Sequence, residues 1–170
     1  MDLVKNSPLP EESLLRPYLR DGHYTDCYSI DISRSVTHSQ YIAAFYTTFL
    51  FKIERFILKW VVSKPSTDVE VVQLVEKQRD SFAAWGVEAR GNDQLLLCDF
   101  RGKTRSWLMV EPMPPGQAPR TRLYFGSAVV RNHENERNSL PFGFGALLGF
   151  HRLYSVALLY SAKKRLERAK

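Results

Sequence analysis

The chain has little from which to build a covalent or metal framework. Its 170 residues include two cysteines, Cys27 and Cys98, and four histidines, His23, His38, His133 and His151, all far apart. Two isolated thiols make neither a disulfide framework nor a metal cluster, and the histidines lack the spacing of zinc ligands. No metal and no cofactor is expected. Each cysteine falls in a strand-like run, where a free thiol behaves as a small hydrophobe. Gly143, Gly145 and Gly149 precede the last helix without the lysine of a phosphate-binding loop. Neither Ser106 nor Ser127 sits in a G-x-S-x-G turn. No stretch amounts to a catalytic motif, and no catalytic residue is assigned.

Long apolar runs are missing too. Residues 42–62 carry Lys52, Glu54, Arg55 and Lys59, while residues 140–160 are broken by Pro141, Gly143, Gly145 and Gly149 and then carry His151 and Arg152. A membrane-spanning helix needs roughly 20 apolar residues without such charges. Residues 1–15 hold Asp2, Lys5, Glu11 and Glu12 and no apolar core of a signal peptide. The expectation is a soluble, cytoplasmic protein without a transmembrane segment.

The net charge of +6 is unevenly placed. Lys163, Lys164, Arg165, Arg168 and Lys170 outweigh Glu167 in the last ten residues, leaving only +2 elsewhere. A basic cluster complements the dipole of a helix C-terminus, so no nucleic-acid partner is inferred. The same basic end is the one feature suited to weak contact with a membrane surface. Being mostly charged, residues 163–170 read as dispensable for folding.

What is present is an ordinary globular composition, 44% hydrophobic and 25% charged. The length suits one domain: an irregular lead-in at 1–20, with three prolines, then a single domain over 21–170. Residues 24–32 alternate in the manner of a strand, with Tyr24, Asp26, Tyr28 and Ile30 on one side. From Ser39 the period becomes helical. Ile42, Phe45, Tyr46, Phe49, Leu50, Ile53, Phe56, Ile57 and Trp60 form a stripe of about six turns. Ser63-Lys64-Pro65 ends it. Thr67 and Glu70 have capping-box spacing and open a shorter helix to about Gln78.

Residues 82–131 read as the sheet. Gly91-Asn92 and Gly102-Lys103 each fit a two-residue hairpin loop. The first turn sets Val87 opposite Leu96 and Trp85 opposite Cys98. The second sets Cys98 opposite Trp107 and Leu96 opposite Met109. The registers agree and predict one apolar face bearing Trp85, Val87, Leu96, Cys98, Phe100, Trp107 and Met109. The other face, with Leu95, Leu97, Asp99, Arg101, Ser106, Leu108 and Val110, is mixed and suits partial cover or a dimer contact; either monomer or homodimer is compatible. A Pro-rich loop at 112–119 leads to a strand over 120–131 with Leu123, Phe125 and Val129 on one side. Residues 132–145 are polar, then Gly-rich, and a helix closes the chain from Ala146 to Glu167. The fold class is α+β: a twisted antiparallel sheet around a long C-terminal helix, with two further helices after the first strand.

That order resembles the helix-grip fold of the START-like, or SRPBCC, superfamily. LLLCDFRG at 95–102, RLYFGSAVV at 122–130 and GFHRLYSVALLYSAKKRL at 149–166 are similar to segments of an uncharacterised bacterial family with that fold. The matching positions are Asp99, Phe100, Arg101, Tyr124, Phe150, His151 and Arg152. The resemblance implies an apolar cavity between sheet and last helix. It transfers no reaction, because superfamily members differ in their polar residues.

These readings combine into a candidate pocket of Trp85, Val87, Leu96, Cys98, Phe100, Trp107, Met109, Phe125, His151 and Tyr154. His151 shares the apolar face of the last helix with Leu147, Tyr154 and Leu158, and serves either as a core histidine or as a cavity acid–base. Asp99 and Arg101 share a strand face and suit an ion pair. Arg105, Glu111 and Tyr124 complete the polar candidates, Tyr124 as a hydroxyl over the pocket. The leading expectation is a binding module for a small apolar or amphipathic ligand. The alternatives are a cyclase- or hydratase-like enzyme using a cavity His or Asp, and a protein–protein or membrane-surface adaptor. A carboxylate partner for a buried His151 beside an open pocket favours the enzyme; a closed, filled core favours the adaptor.

Overall fold

A computed structural model describes residues 3–51, 67–114, 119–130 and 144–169, and the side chains of the last helix from His151 onward. The elements are β1 (Lys5–Asn6), α1 (Arg16–Arg20), β2 (Tyr24–Ile32), α2 (His38–Tyr46), α3 (Asp68–Val75), β3 (Ser81–Phe82), β4 (Trp85–Arg90), β5 (Gln94–Asp99), β6 (Thr104–Pro112), β7 (Thr121–Val129) and α4 (Phe144–Arg168). The strands form one antiparallel sheet of order β1-β2-β7-β6-β5-β4-β3. β2 pairs with the last strand, so the sheet curls back on its own beginning. Helices α2 and α4 pack together, α4 against β2 and β7, and α2 against β6. The α+β architecture is as expected and is compatible with a helix-grip arrangement.

β2 has the predicted bounds. α3 opens on the predicted capping box: the Glu70 amide donates to Thr67 Oγ1 and the Thr67 amide to Glu70 Oε2. It ends at Val75, sooner than expected. The six-turn helix is interrupted. α2 starts on a second capping box, Thr37 with Gln40, and stops at Tyr46, where two threonine hydroxyls join the backbone amides on its last carbonyls. Thr47 Oγ1 donates to Ala43 O at 2.6 Å and Thr48 Oγ1 to Phe45 O at 3.0 Å. Thr48 Oγ1 then accepts from the Phe51 amide at 3.2 Å, starting a new helical turn at residues 49–51. Such side-chain bonds compete with the helical ladder. The rest of that stripe with Trp60, the Ser63-Lys64-Pro65 stop, residues 115–118 of the Pro-rich loop and the polar segment before α4 lie outside the described residues.

Both hairpin registers depart from expectation, with different consequences. The first turn sits at Asn92–Asp93, closed by Gly91 N–H donating to Gln94 O at 2.8 Å. The second loop spans 100–103, because the Asp99 carboxylate accepts from the Lys103 and Thr104 amides at 2.6 and 2.8 Å and Gly102 supplies a left-handed φ of 67°. Each change moves the register by two residues and preserves the faces, so Leu96 lies opposite Trp107 rather than Met109. A β-bulge at Glu88 then slips the start of β4 by one. Trp85 pairs with Asp99 and Val87 with Leu97, which turns both away from Leu96.

The predicted apolar face is therefore split, and its helix-facing assignment was inverted. Trp85 and Val87 join Leu95, Leu97, Leu108 and Phe125 in the core under α2 and α4. Leu96, Trp107 and Met109 lie on the opposite face with Leu9, Leu15, Cys27, Tyr124 and Ala128. The lead-in is accordingly not a loose arm. It contains β1 and α1 and covers that outer face. Gln94 staples it down: Oε1 accepts from Trp107 Nε1 at 2.9 Å and from the Leu14 amide at 3.0 Å, while Nε2 donates to Glu12 O at 3.1 Å.

Gly126 sits where this cover is tightest. A Cβ there would come within 2.8 Å of Asp26 O, 2.9 Å of Leu15 Cδ1 and 3.0 Å of Trp107 Cε3. Gly126→Ala is expected to destabilise the protein by about 1–3 kcal/mol, as other overpacked cores do. Urea unfolding measures it; an unchanged midpoint would mean that the cover yields freely.

Candidate functional site

The helix-facing side of the sheet changes character along its strands. One cross-strand row is apolar: Tyr28, Phe125, Leu108 and Leu95. The row two residues along runs Asp26, Ser127, Ser106, Leu97 and Val87. Three of its five members are polar, side by side on β2, β7 and β6. Strand alternation forces this placement, since residues two apart share a face.

Over this polar end lies a cavity of about 380 Å³, roofed by α4 and α2. Phe45, Phe51, Trp85, Phe125, Tyr154 and Leu158 supply its apolar wall, and Thr104, Ser106, Ser127 and His151 its polar strip. The volume is at the lower end of small-molecule sites, and an apolar wall with a few converging polar groups is their usual composition.

At the polar end three residues converge. Ser127 Oγ lies 2.7 Å from Asp26 Oδ1 and 2.8 Å from His151 Nε2, and His151 Nε2 lies 3.3 Å from Asp26 Oδ2. Asp26 also accepts from the Ser127 amide at 3.0 Å and from the Tyr24 hydroxyl at 3.4 Å. The Asp26 side chain is 8% exposed and that of His151 35%. A nearly buried carboxylate needs such donors to offset its lost hydration. It acts on its neighbours in turn: burial and the Asp26 charge raise the Tyr24 phenol and push that of Tyr28 up to about 12. Arg152, beside His151, is held in its charged form by the nearby Tyr24.

The hydrogen-bond directions follow from counting protons. The serine hydroxyl has one proton, and its shortest contact is to the carboxylate. Ser127 Oγ then accepts from His151 Nε2–H, which also points at Asp26 Oδ2. This satisfies every group, with Nε2 protonated and Nδ1 left as the imidazole's acceptor. A nucleophilic triad is arranged differently: its carboxylate holds the far ring nitrogen and its serine donates to the imidazole. Here the carboxylate and the serine share one ring nitrogen, so Ser127 is a positioning group rather than an activated nucleophile.

The predicted pocket residues divide. Trp85, Phe125, His151 and Tyr154 line the cavity, and Val87 packs against the core below it. Leu96, Trp107 and Met109 are on the outer face, as is Cys98, which pairs with Arg105 and whose thiol is raised by burial. Phe100 is in the β5–β6 loop and 52% exposed. Among the polar candidates, Asp99 holds that loop rather than pairing with Arg101, whose guanidinium lies over the Phe100 ring at 5.2 Å. Arg105 borders the cavity, but its guanidinium binds Glu88 at 2.7 Å and the Tyr18 hydroxyl at 2.8 Å. Tyr124 donates to Glu111 at 2.7 Å, and burial raises its phenol to about 12; both are remote from the cavity lining.

Sequence reasoning missed Asp26, Ser106 and Ser127 as site residues. The available signal was alternation. Each falls on the same face as large apolar neighbours, Asp26 with Tyr28 and Ile30, Ser127 with Phe125 and Leu123, and Ser106 with Leu108 and Val110. His38 illustrates the opposite case. Burial lowers its imidazole to about 4, and Nε2 has no partner among the described residues, so it is a neutral packing residue. Among the described residues no three His, Cys, Asp or Glu side chains come together as metal ligands, and no helix is long and apolar enough to cross a membrane. The chain matches no family model, no curated protein and no solved structure, so the site stands on its own geometry.

Proposed function

We propose that the protein is a binding module for a small apolar or amphipathic molecule, held in the cavity between the sheet and α4. The observation that carries this is the cavity itself: about 380 Å³ with aromatic walls and one polar end. The resemblance to START-like helix-grip domains, whose members enclose ligands in the same place, supports the reading, as does the pairing of β2 with β7 around α4. The adaptor alternative asks for a filled core between sheet and helix and draws no support from this one.

The Asp26–His151 contact favours a second reading, a cyclase- or hydratase-like activity. A histidine held by a carboxylate beside an open cavity is the arrangement of a general acid–base. Ser127 in that reading keeps the pair in place.

Native mass spectrometry of gently purified protein tests the binding reading. The expected result is an added small-molecule mass that is lost in Ser106→Phe, which fills the cavity from the sheet side. Ser106→Leu serves if the larger side chain impairs folding. A bound mass retained in the blocked variants would place the ligand elsewhere, and its absence from the wild-type protein would count against the reading.

A further inference from the structure

The charges around the cavity restrict what can bind there. Among the described residues the lining holds no Asp or Glu. The nearest carboxylate, Asp26, lies behind Ser127 and His151 and already accepts from the Ser127 amide, the Ser127 hydroxyl, His151 Nε2 and the Tyr24 hydroxyl. A ligand ammonium would therefore enter an apolar cavity and find no counter-ion, at large desolvation cost. An acid meets the reverse situation. His151 borders the cavity, its Nε2–H is spent on Ser127 and Asp26, and its Nδ1 has no partner among the described residues. When Nδ1 takes a proton, the imidazolium is balanced on its far side by the Asp26 carboxylate. The hydroxyls of Thr104 and Ser106 in the lining stand ready to donate to a ligand oxygen. The other titratable or charged groups near this histidine are Tyr24 and Tyr28 on β2 and Tyr154 and Arg152 on α4; the Arg105 guanidinium is on the outer face with Glu88 and Tyr18.

Resting on the binding reading above, we propose that the cavity selects apolar acids, the acid binding as its carboxylate against the His151 imidazolium. The proton balance is simple. A carboxylic acid loses its O–H proton and Nδ1 gains one; from an ionised acid in solution, the Nδ1 proton comes from buffer. Binding of an ionised acid to the neutral imidazole therefore takes up one proton. Asp26 and Ser127 are positioning residues that fix the ring and supply its counter-charge.

Calorimetric titrations of 2-naphthoic acid, naphthalen-2-ylmethanol and naphthalen-2-ylmethylamine compare three head groups on one aromatic body. The acid is expected to bind about tenfold tighter than the other two, the scale of a charge-assisted hydrogen bond. Repeating the acid titration at about pH 7.5, where an ordinary imidazole is mostly neutral, in buffers of different ionisation enthalpy reads the proton uptake. His151→Gln keeps an N–H donor for Ser127 and Asp26 and has no basic nitrogen. It should abolish both the acid preference and the proton uptake. Equal binding of the three probes, preference for the amine, or acid binding without proton uptake would overturn the proposal and leave the binding reading intact. If none of the probes binds, both fall together.

Discussion

Trp107→Ala is expected to cost about 3–5 kcal/mol, the range for large aromatic truncations in cores. Trp107 is fully buried, and its loss acts twice. It opens a void between Leu96, Met109, Tyr124 and Leu15, and it removes the indole N–H, one of the two donors to Gln94 Oε1, the other being the Leu14 amide. For a chain of this size the melting temperature should fall by about 6–20 °C. Because Trp107 faces away from α4, the damage should be local to the outer face. Amide exchange should rise first at Leu14 and Leu15, and Ser127–His151 geometry should outlast it. A near-neutral result, or damage seen first at the cavity, would show that the outer-face placement is wrong.

Ending the chain at Ala162 is expected to be comparably severe, on the order of 3–5 kcal/mol. Charge alone predicts the opposite, since exposed charges contribute little. The last turns of α4 are not merely exposed, however. Leu166 and Lys163 are each 6% exposed. Leu166 belongs to the helix-side core, and a buried leucine lost there costs roughly 2–5 kcal/mol. Lys163 Nζ donates to Asp31 O at 2.7 Å, and Arg34 Nη1 donates to Leu166 O and Ala169 O at 2.8 and 2.7 Å. These bonds tie the helix end to β2 and to the segment after it. Denaturant unfolding of the truncated chain and of Leu166→Ala should show most of the loss in the single substitution. A truncated chain as stable as the full one would mean that α4 is held by its earlier turns alone.

Much of the fold was legible because it rests on local rules. The alternation over residues 24–32 gives β2 its bounds, and the Thr67–Glu70 spacing gives α3 its start. The face identities of β5 and β6 survived two wrong turn positions, because both errors displaced the register by an even number. What failed depended on single residues whose effect is tertiary. One bulge at Glu88 sent Trp85 and Val87 to the other face, and nothing in the local composition announces a bulge. Thr47 and Thr48 fit a helical stripe as readily as they end one; only their bonds to Ala43 and Phe45 decide it. The cover over Trp107 comes from a Pro-containing segment tied to Gln94, some 80 residues from it in sequence, beyond the reach of any periodicity.

The candidate site was legible by half. His151 and Tyr154 followed from helical spacing, and Phe125 from alternation. The polar row was not recognised, because each of Asp26, Ser106 and Ser127 is unremarkable alone. Their meaning comes from strand order: β2, β7 and β6 are neighbours, so three residues from distant parts of the chain stand in one row. Antiparallel pairing of the first and last long strands is what brings Asp26 under a helix that begins more than a hundred residues later.

The measurement that tests the account most directly is methyl and amide chemical-shift mapping of the wild-type protein during titration with 2-naphthoic acid. The account predicts saturable shifts at Leu158, Val129, Ser127 and His151, which surround the cavity, with Leu96, Met109 and Leu9 on the outer face unmoved. The same titration of Ser106→Phe should leave all of them unchanged. Saturable shifts confined to the outer face, or the same shifts at Leu158 and Val129 in the blocked variant, would contradict a binding site between the sheet and α4.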